Sequence, residues 1–210
     1  MKKLVLSILF FGFNTVIFAQ NEKYVSTMTD LVTNIQSNYE GSYIPLSNKM
    51  ERIAAAESKE WLPNYWVAFC LINETFRMQE AGEKDLLLDK AAVFIKKAEV
   101  ISPSNDEIEV IKAQYAMAKV SIDPMSRWQK YGADFQTSLK NAEELNPGNP
   151  RTSYVMGINI YYTPEGFGGG KDKAKPLFEK TLSKAEIFKS ETSYSPSWGK
   201  AEAKFFLSQY

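Results

Sequence analysis

The stretch DLLLDKAAVFIKKAEVISP, residues 85–103, decides the fold of this chain. Its apolar residues recur every three or four positions, which is the spacing of one face of an α-helix, and a proline ends it. The same pattern returns at residues 135–147 and, in part, at residues 174–181. Because a single amphipathic unit cannot bury its own apolar face, this repetition predicts a stack of similar helical units.

The rest of the chain also consists of segments with apolar residues three or four positions apart, separated by turn residues. Polar residues stand where they can cap helices, and prolines follow where the missing N–H costs little. The expected helix starts are Ser47, Pro63, a capping box at Ser104–Glu107, Asp123-Pro124, Asn149-Pro150, Asp172, and Ser195-Pro196 before a last helix from Trp198 to Tyr210. No segment alternates with a period of two, so we predict an all-α protein.

Composition restricts the possible functions. The 210 residues are 44% hydrophobic and 24% charged, which is typical of a globular domain. Lys+Arg and Asp+Glu number 25 each, so the basic excess of a nucleic-acid-binding protein is missing and we expect no nucleic-acid partner. The chain has no histidine and one cysteine, Cys70, which excludes histidine-based catalysis, histidine metal ligands and an intrachain disulfide.

The first 19 residues have the layout of a secretory signal peptide. Lys2 and Lys3 precede an apolar run, and the small residue Ala19 stands before a polar stretch. The apolar run is short for a membrane span. We therefore predict a signal peptide at residues 1–19 and a single mature domain at residues 20–210. This domain is expected to be exported, periplasmic or secreted, without stable membrane insertion after cleavage.

The repeated segments share fixed offsets. The prolines that end successive hairpins recur at intervals of 40 to 49 residues; they are Pro63, Pro103, Pro147 and Pro196. The second helices carry Ala91, Ile95 and Ala98, then Phe135, Leu139 and Ala142, then Ala174, Phe178 and Thr181. Small residues occur in the preceding helices, at Cys70, Ala116 and Gly157. Small residues at these places predict close helix crossings.

This pattern resembles the tetratricopeptide repeat, which has a small residue in its first helix and Ala, a large apolar residue, Ala and Pro in and after its second. The match is best over residues 64–182 and most specific at LKNAEELNP, residues 139–147. The intervals exceed the 34 residues of that repeat, and Phe135 stands where Ala is usual. The resemblance therefore implies an irregular tetratricopeptide-like array of about four helical hairpins, with a capping helix at the C-terminus.

Few residues suggest reaction chemistry. The glycine-rich loop at residues 166–171 lacks the Walker spacing and follows a helix, so a flexible turn is favoured over a phosphate cradle. Glu143 and Glu144 are adjacent, and adjacent helical residues point in different directions. Cys70 lies between apolar neighbours and is expected to be a buried packing residue. We predict a protein that is not an enzyme, with no catalytic residue, cofactor or metal.

A binding groove is the remaining candidate site. In arrays of the kind that the resemblance implies, the first helices of successive hairpins line a concave surface where aromatic, Asn and Arg side chains can hold a peptide. The candidate groove residues are Asn73, Arg77, Trp128, Tyr154, Tyr161 and Tyr162. Ordinary packing is the alternative interpretation of these aromatic residues.

Two functions fit these features. The first is a non-enzymatic exported scaffold that holds an unidentified envelope protein or peptide segment. The alternative is a small-molecule-binding accessory subunit of a periplasmic solute transport system. This second hypothesis draws on residues 162–182, where a Gly-Gly-Gly turn precedes a helix with Lys173-Ala174 and Phe178. That segment is similar to exported tetratricopeptide-like subunits associated with solute transporters.

Overall fold

The computed structural model describes residues 22–210, which consist of successive helices, the turns between them and one longer non-helical stretch near the C-terminus, with no β-strand. This confirms the all-α class, while the predicted signal peptide at residues 1–19 lies outside the described residues. The helices are α1 (22–36), α2 (Ile44–Ala56), α3 (Trp61–Thr75), α4 (Ala81–Ile101), α5 (Asp106–Ile122), α6 (Pro124–Leu145), α7 (Pro150–Tyr162), α8 (Lys171–Ile187) and α9 (Lys200–Leu207). Within residues 22–210, no helix combines the length and apolar character that crossing a membrane requires.

Polar side chains begin several of these helices. Asp123 and Asn149 each accept a hydrogen bond from a backbone N–H in the following turn, which confirms both as N-caps. The cap of α5 is Asn105 rather than Ser104, because the Asn105 side chain accepts from two backbone N–H groups. The expected cap at Ser47 is wrong: that side chain is buried within α2, which begins three residues earlier beside a first-turn proline.

The recurring apolar residues face the core. Neighbouring helices pack in pairs, α3 on α4, α5 on α6 and α7 on α8. All nine recurring residues of the second helices are buried: Ala91, Ile95, Ala98, Phe135, Leu139, Ala142, Ala174, Phe178 and Thr181. The repeat that the sequence shows is therefore a repeat of core positions, and each hairpin covers its apolar face with the next one.

The last pair crosses closely because of Gly157. A Cβ atom at this position would lie 2.8 Å from the ring of Phe178, so any larger residue would push α7 away from α8. The prediction of a small residue at a helix crossing is confirmed here. Gly157 lets the Phe178 ring fill the space between the two helices.

A buried ion pair joins the third hairpin to the fourth. Glu107 on α5 and Arg151 on α7 each lie two residues after an asparagine N-cap, so they occupy equivalent places in successive hairpins. The Nε of Arg151 donates to both carboxylate oxygens of Glu107, at 2.8 and 2.9 Å, and the Nδ2 of Asn149 donates to the same carboxylate at 2.8 Å. The guanidinium also stacks on the ring of Phe188, 4.7 Å from its centroid.

The last helix begins later in the chain than the sequence predicts. The last helix starts at Lys200, and Trp198, which the sequence places in that helix, belongs to a non-helical stretch at residues 188–199. We call this stretch the C-terminal strap. It gives way to α9 at Gly199, whose φ of 99° is the left-handed conformation that favours glycine. The carboxylate of Glu202 accepts a hydrogen bond from the Gly199 N–H at 2.8 Å.

The C-terminal strap runs back across the first helices of the hairpins. On α1, the hydroxyls of Thr29 and Ser193 lie 2.6 Å apart. On α3, the indole N–H of Trp66 donates to the carbonyl of Tyr194 at 2.9 Å. The Trp198 ring lies between α3 and α7, and its N–H donates to the Tyr65 hydroxyl at 2.9 Å. The strap thus covers the face that α1, α3 and α7 share.

A second charged cluster joins α4, α5 and α6. The guanidinium of Arg127 binds both carboxylate oxygens of Asp85 at 2.7 Å, and the ammonium of Lys119 donates to Asp85 at 3.0 Å. Hydrogen bonds from these two cations hold the pKa of Asp85 well below its usual value.

Replacing Arg151 with Met should lower the free energy of unfolding by about 3–5 kcal/mol, since Glu107 would stay buried without its cation. Urea denaturation followed by circular dichroism measures the change. The matched control is the double variant Glu107→Leu with Arg151→Met, which removes both charges and should recover much of the loss. If Arg151→Met lowers the free energy of unfolding by less than about 1 kcal/mol, which is the contribution of an exposed ion pair, a structural role for this pair is contradicted.

Asp85→Asn should lower the free energy of unfolding by about 1 kcal/mol at pH 7. The loss is modest because the ion pairs of Asp85 are partly exposed to solvent. Because the pKa of Asp85 is lower in the folded than in the unfolded protein, its charge stabilises the fold at pH values above the unfolded-state pKa, near about 3.9. This stabilisation is lost as the pH falls below that pKa toward the pKa of the folded state. The gap between the wild type and the variant should therefore narrow below about pH 4. Urea denaturation at pH 7 and pH 3 tests this, and a gap of constant size would show that the Asp85 charge plays no part.

Candidate functional site

The groove candidates Asn73, in α3, and Arg77, in the turn after α3, take part in local structure. The Arg77 guanidinium donates to the carbonyls of Asn38 and Tyr39, at 2.7 and 3.1 Å, and stacks 4.3 Å from the centroid of the Tyr43 ring. The Nδ2 of Asn73 donates to the carbonyl of Phe69 one turn earlier, at 2.8 Å. Arg77 therefore holds the turn between α1 and α2, and its donors already have partners.

The three tyrosine candidates of α7 lie along one side of that helix. Tyr154 packs between Trp198 and Phe178, and burial raises the pKa of Tyr154 well above its ordinary value. Tyr161 and Tyr162 pack edge-on against Phe206 of α9, and the Tyr162 side chain is 69% exposed. We call Tyr161, Tyr162, Phe205 and Phe206 the aromatic patch.

Trp128 does not contact these aromatic rings. It is on α6, the second helix of its hairpin, and its ring covers Gly132, where an added Cβ would lie 3.0 Å away. The side chain is 63% exposed, and within residues 22–210 it pairs with no other aromatic ring. The structure thus brings Tyr154, Tyr161 and Tyr162 onto one helix and leaves Trp128 on another layer.

The predicted groove over the first helices is filled by the chain itself. The C-terminal strap lies on α1, α3 and α7, and Ser195, Pro196 and Trp198 are buried there. A peptide could lie on this face only after the strap had left it.

An open cleft lies between α6, α7 and α8. Its volume is about 310 Å³, at the lower end of the roughly 300–1,000 Å³ of small-molecule sites. We call it the α6–α8 cleft. Its lining residues are Gln136, Leu139, Lys140 and Glu143 of α6, Thr152, Ser153 and Met156 of α7, and Leu177 and Lys180 of α8. Three of them, Leu139, Met156 and Leu177, give the cleft an apolar floor.

The cleft exists because the two hairpins stack loosely at this point. α6 packs closely on α5 and only loosely on α7, whereas α7 and α8 pack closely at Gly157. The Glu107–Arg151 pair fixes the start of α7 against α5. α8 therefore stands beside α6 with a gap between them, and side chains from both helices line that gap.

The charges at the cleft are mostly positive. Glu143 accepts hydrogen bonds from the Lys184 ammonium at 2.9 Å and from the Thr152 hydroxyl at 3.0 Å. Burial alone would raise the pKa of Glu143, but these hydrogen bonds outweigh it and hold the pKa below its usual value. Lys180 reaches the same carboxylate at 3.4 Å, and Lys140 makes a 3.7 Å pair with Glu144. Glu143 and Glu144 thus have separate partners, as their spacing predicts.

Most backbone N–H groups of the glycine-rich loop already have carbonyl partners. The backbone N–H groups of Gly168, Gly169 and Gly170 donate to the carbonyls of the loop and of the end of α7, at 2.9 to 3.2 Å. The N-cap of α8 is Gly170, with a φ of 111°, and the predicted cap Asp172 lies within the first turn. The loop is a closed turn, which agrees with the favoured interpretation of its sequence.

Other reactive groups are enclosed or dispersed. Cys70 is buried in α3, and burial together with the charge of Glu74 raises the pKa of its thiol. Among residues 22–210, no three acidic or cysteine side chains come together in a way that could hold a metal ion. The α6–α8 cleft is therefore the candidate ligand site that we consider further.

The cleft is the part of the site that sequence reasoning missed. The repeat pattern predicts Leu139 as a core residue, but nothing in the sequence marks Lys140, Met156 and Lys180 as neighbours. They are far apart in the chain, and they meet only through the stacking of two hairpins. The repeat pattern shows which residues face the core, and it contains no signal for the gap between hairpins.

Fold and site together define an all-helical protein of paired helices with an apolar, cation-edged cleft. No protein-family model and no curated protein matches the chain. Among solved structures, it is similar to the HusA haemophore from Porphyromonas gingivalis, with a TM-score of 0.78 and 34% sequence identity over 89% of this chain and 92% of that chain. The chain belongs to the family of the HusA haemophore.

Proposed function

We propose that this protein is an exported haem-binding protein that captures haem outside the cytoplasm. The observation that carries this proposal is the similarity to the HusA haemophore, which extends over almost the whole of both chains. The predicted signal peptide at residues 1–19 agrees with a role outside the cytoplasm. The small-molecule alternative is therefore better supported than the peptide scaffold.

The α6–α8 cleft supports the same function through its chemistry. Haem is a flat, largely apolar ring with two carboxylates on one edge. Leu139, Met156 and Leu177 offer an apolar surface for the ring, and Lys140 and Lys180 offer cations for the carboxylates. The chain contains no histidine, so the affinity in this proposal comes from the apolar surface and the charges and not from a histidine–iron bond.

The C-terminal strap weighs against the peptide function. A peptide that bound on α1, α3 and α7 would have to displace Trp198, which is buried between α3 and α7. It would also break the hydrogen bond from Trp66 to the strap. A ligand in the α6–α8 cleft requires no such displacement, because the cleft is open to solvent between helices.

Titrating the protein with haemin and following the Soret absorbance tests the function. We expect saturable binding with one haem per chain. Met156→Glu should weaken the affinity by about tenfold or more, because it places a charge on the apolar floor. Thermal melts followed by circular dichroism verify that the variant is folded.

The control is the aromatic patch, the other surface on which a flat ring could stack. The variant Tyr162→Ala with Phe205→Ala should bind haemin as the wild type does. Absence of saturable haemin binding to the wild type would contradict the function. Loss of binding in the patch variant, with full binding to Met156→Glu, would place the ligand on the aromatic patch instead.

A further inference from the structure

We propose that Lys140 and Lys180 form a two-point carboxylate clamp, so that the α6–α8 cleft selects tetrapyrroles with two ionised carboxylates over neutral ones. This inference rests on the proposed function and concerns the same cleft. It names the chemical class of the ligand and assigns the two residues that recognise it.

The two lysines stand on opposite walls of the cleft. Lys140 belongs to α6 and Lys180 to α8, and both line the space above the apolar floor. Glu143 is the one carboxylate among the nine lining residues. A ligand whose ring lies on Leu139, Met156 and Leu177 therefore meets positive charge from both helices.

The pairing of Glu143 with Lys184 leaves Lys180 available to a ligand. Lys184 is the best-placed partner of Glu143, with an exposed side-chain fraction of only 12% and an N–O distance of 2.9 Å. The Thr152 hydroxyl donates to the same carboxylate. Because Glu143 keeps these two partners, Lys180 can turn from its longer 3.4 Å contact toward a ligand carboxylate without stranding a charge.

Lys140 is held even more weakly. Its pair with Glu144 measures 3.7 Å, and both side chains are mostly exposed, at 75% and 65%. Exposed pairs one helical turn apart contribute little to stability, so exchanging Glu144 for a ligand carboxylate has a small cost. Both cations can thus be recruited while the interactions that hold α6 against α7 and α8 remain intact.

The apolar floor restricts the ligand further. A small inorganic anion could pair with the lysines but would leave the accessible parts of Met156 and Leu177 in water. A neutral porphyrin could cover the floor but would leave Lys180 and Lys140 with only their long contacts to Glu143 and Glu144, at 3.4 and 3.7 Å. A ligand with a flat apolar body and two carboxylates uses both parts of the cleft.

The experiment compares haem with its dimethyl ester, in one dilute-detergent buffer, on the wild type and on the variant Lys140→Met with Lys180→Met. Methionine keeps the length of each side chain and removes the charge. The wild type should bind the diacid about tenfold more tightly than the diester, as two partly exposed ion pairs would provide. The double variant should bind both ligands with similar affinity.

Two controls separate the clamp from general attraction. Lys49→Met with Lys59→Met makes the same change of net charge on exposed residues in α2 and in the turn after it, and it should leave the preference for the diacid unchanged. Raising the salt concentration should weaken diacid binding to the wild type and have little effect on the Lys140/Lys180 variant.

The outcomes distinguish this inference from the proposed function. Equal affinity of the wild type for diacid and diester would overturn the clamp and leave haem binding in place. An equal loss of preference in the Lys49/Lys59 variant would also overturn it, since the attraction would then be unspecific. Failure of the wild type to bind either ligand would overturn the proposed function, and the clamp with it.

Discussion

The buried pair of Glu107 and Arg151 is the interaction on which the end of the protein that contains the α6–α8 cleft depends. It stands at equivalent places in two successive hairpins and fixes α7 against α5. Arg151 also stacks on Phe188, where the C-terminal strap begins, so the same guanidinium anchors the return of the chain toward α1. Because α8 follows α7 closely at Gly157, the pair determines how far α8 stands from α6. The width of the cleft follows from that separation.

Much of the fold can be predicted from the sequence, because helical periodicity and capping are local properties. The recurring residues around Ile95, Leu139 and Phe178 are all buried on second helices. The strap and the cleft could not be predicted in this way. Both depend on contacts between segments far apart in the chain, such as Trp66 with Tyr194, and no local pattern records them. The sequence marks the aromatic residues of α7, but not their neighbours Trp198 and Phe206.

The strap and the cleft lie on different layers of the array. The first helices carry the strap, which fills the face where repeat proteins often hold a peptide. The second helices α6 and α8 form two walls of the cleft, and their lysines stand on its edge. A chain with balanced net charge can in this way present a local positive site, since the position of the charges matters more than their total number.

The most direct test of the central claim is amide hydrogen exchange with and without a bound haem analogue, such as the diamagnetic gallium protoporphyrin. Ligand in the cleft should slow exchange at residues 136–143, 152–156 and 177–180, and leave the strap at residues 188–199 unchanged. Slowed exchange confined to the strap or to the aromatic patch, with no change in α6 and α8, would contradict the assignment of the cleft as the binding site.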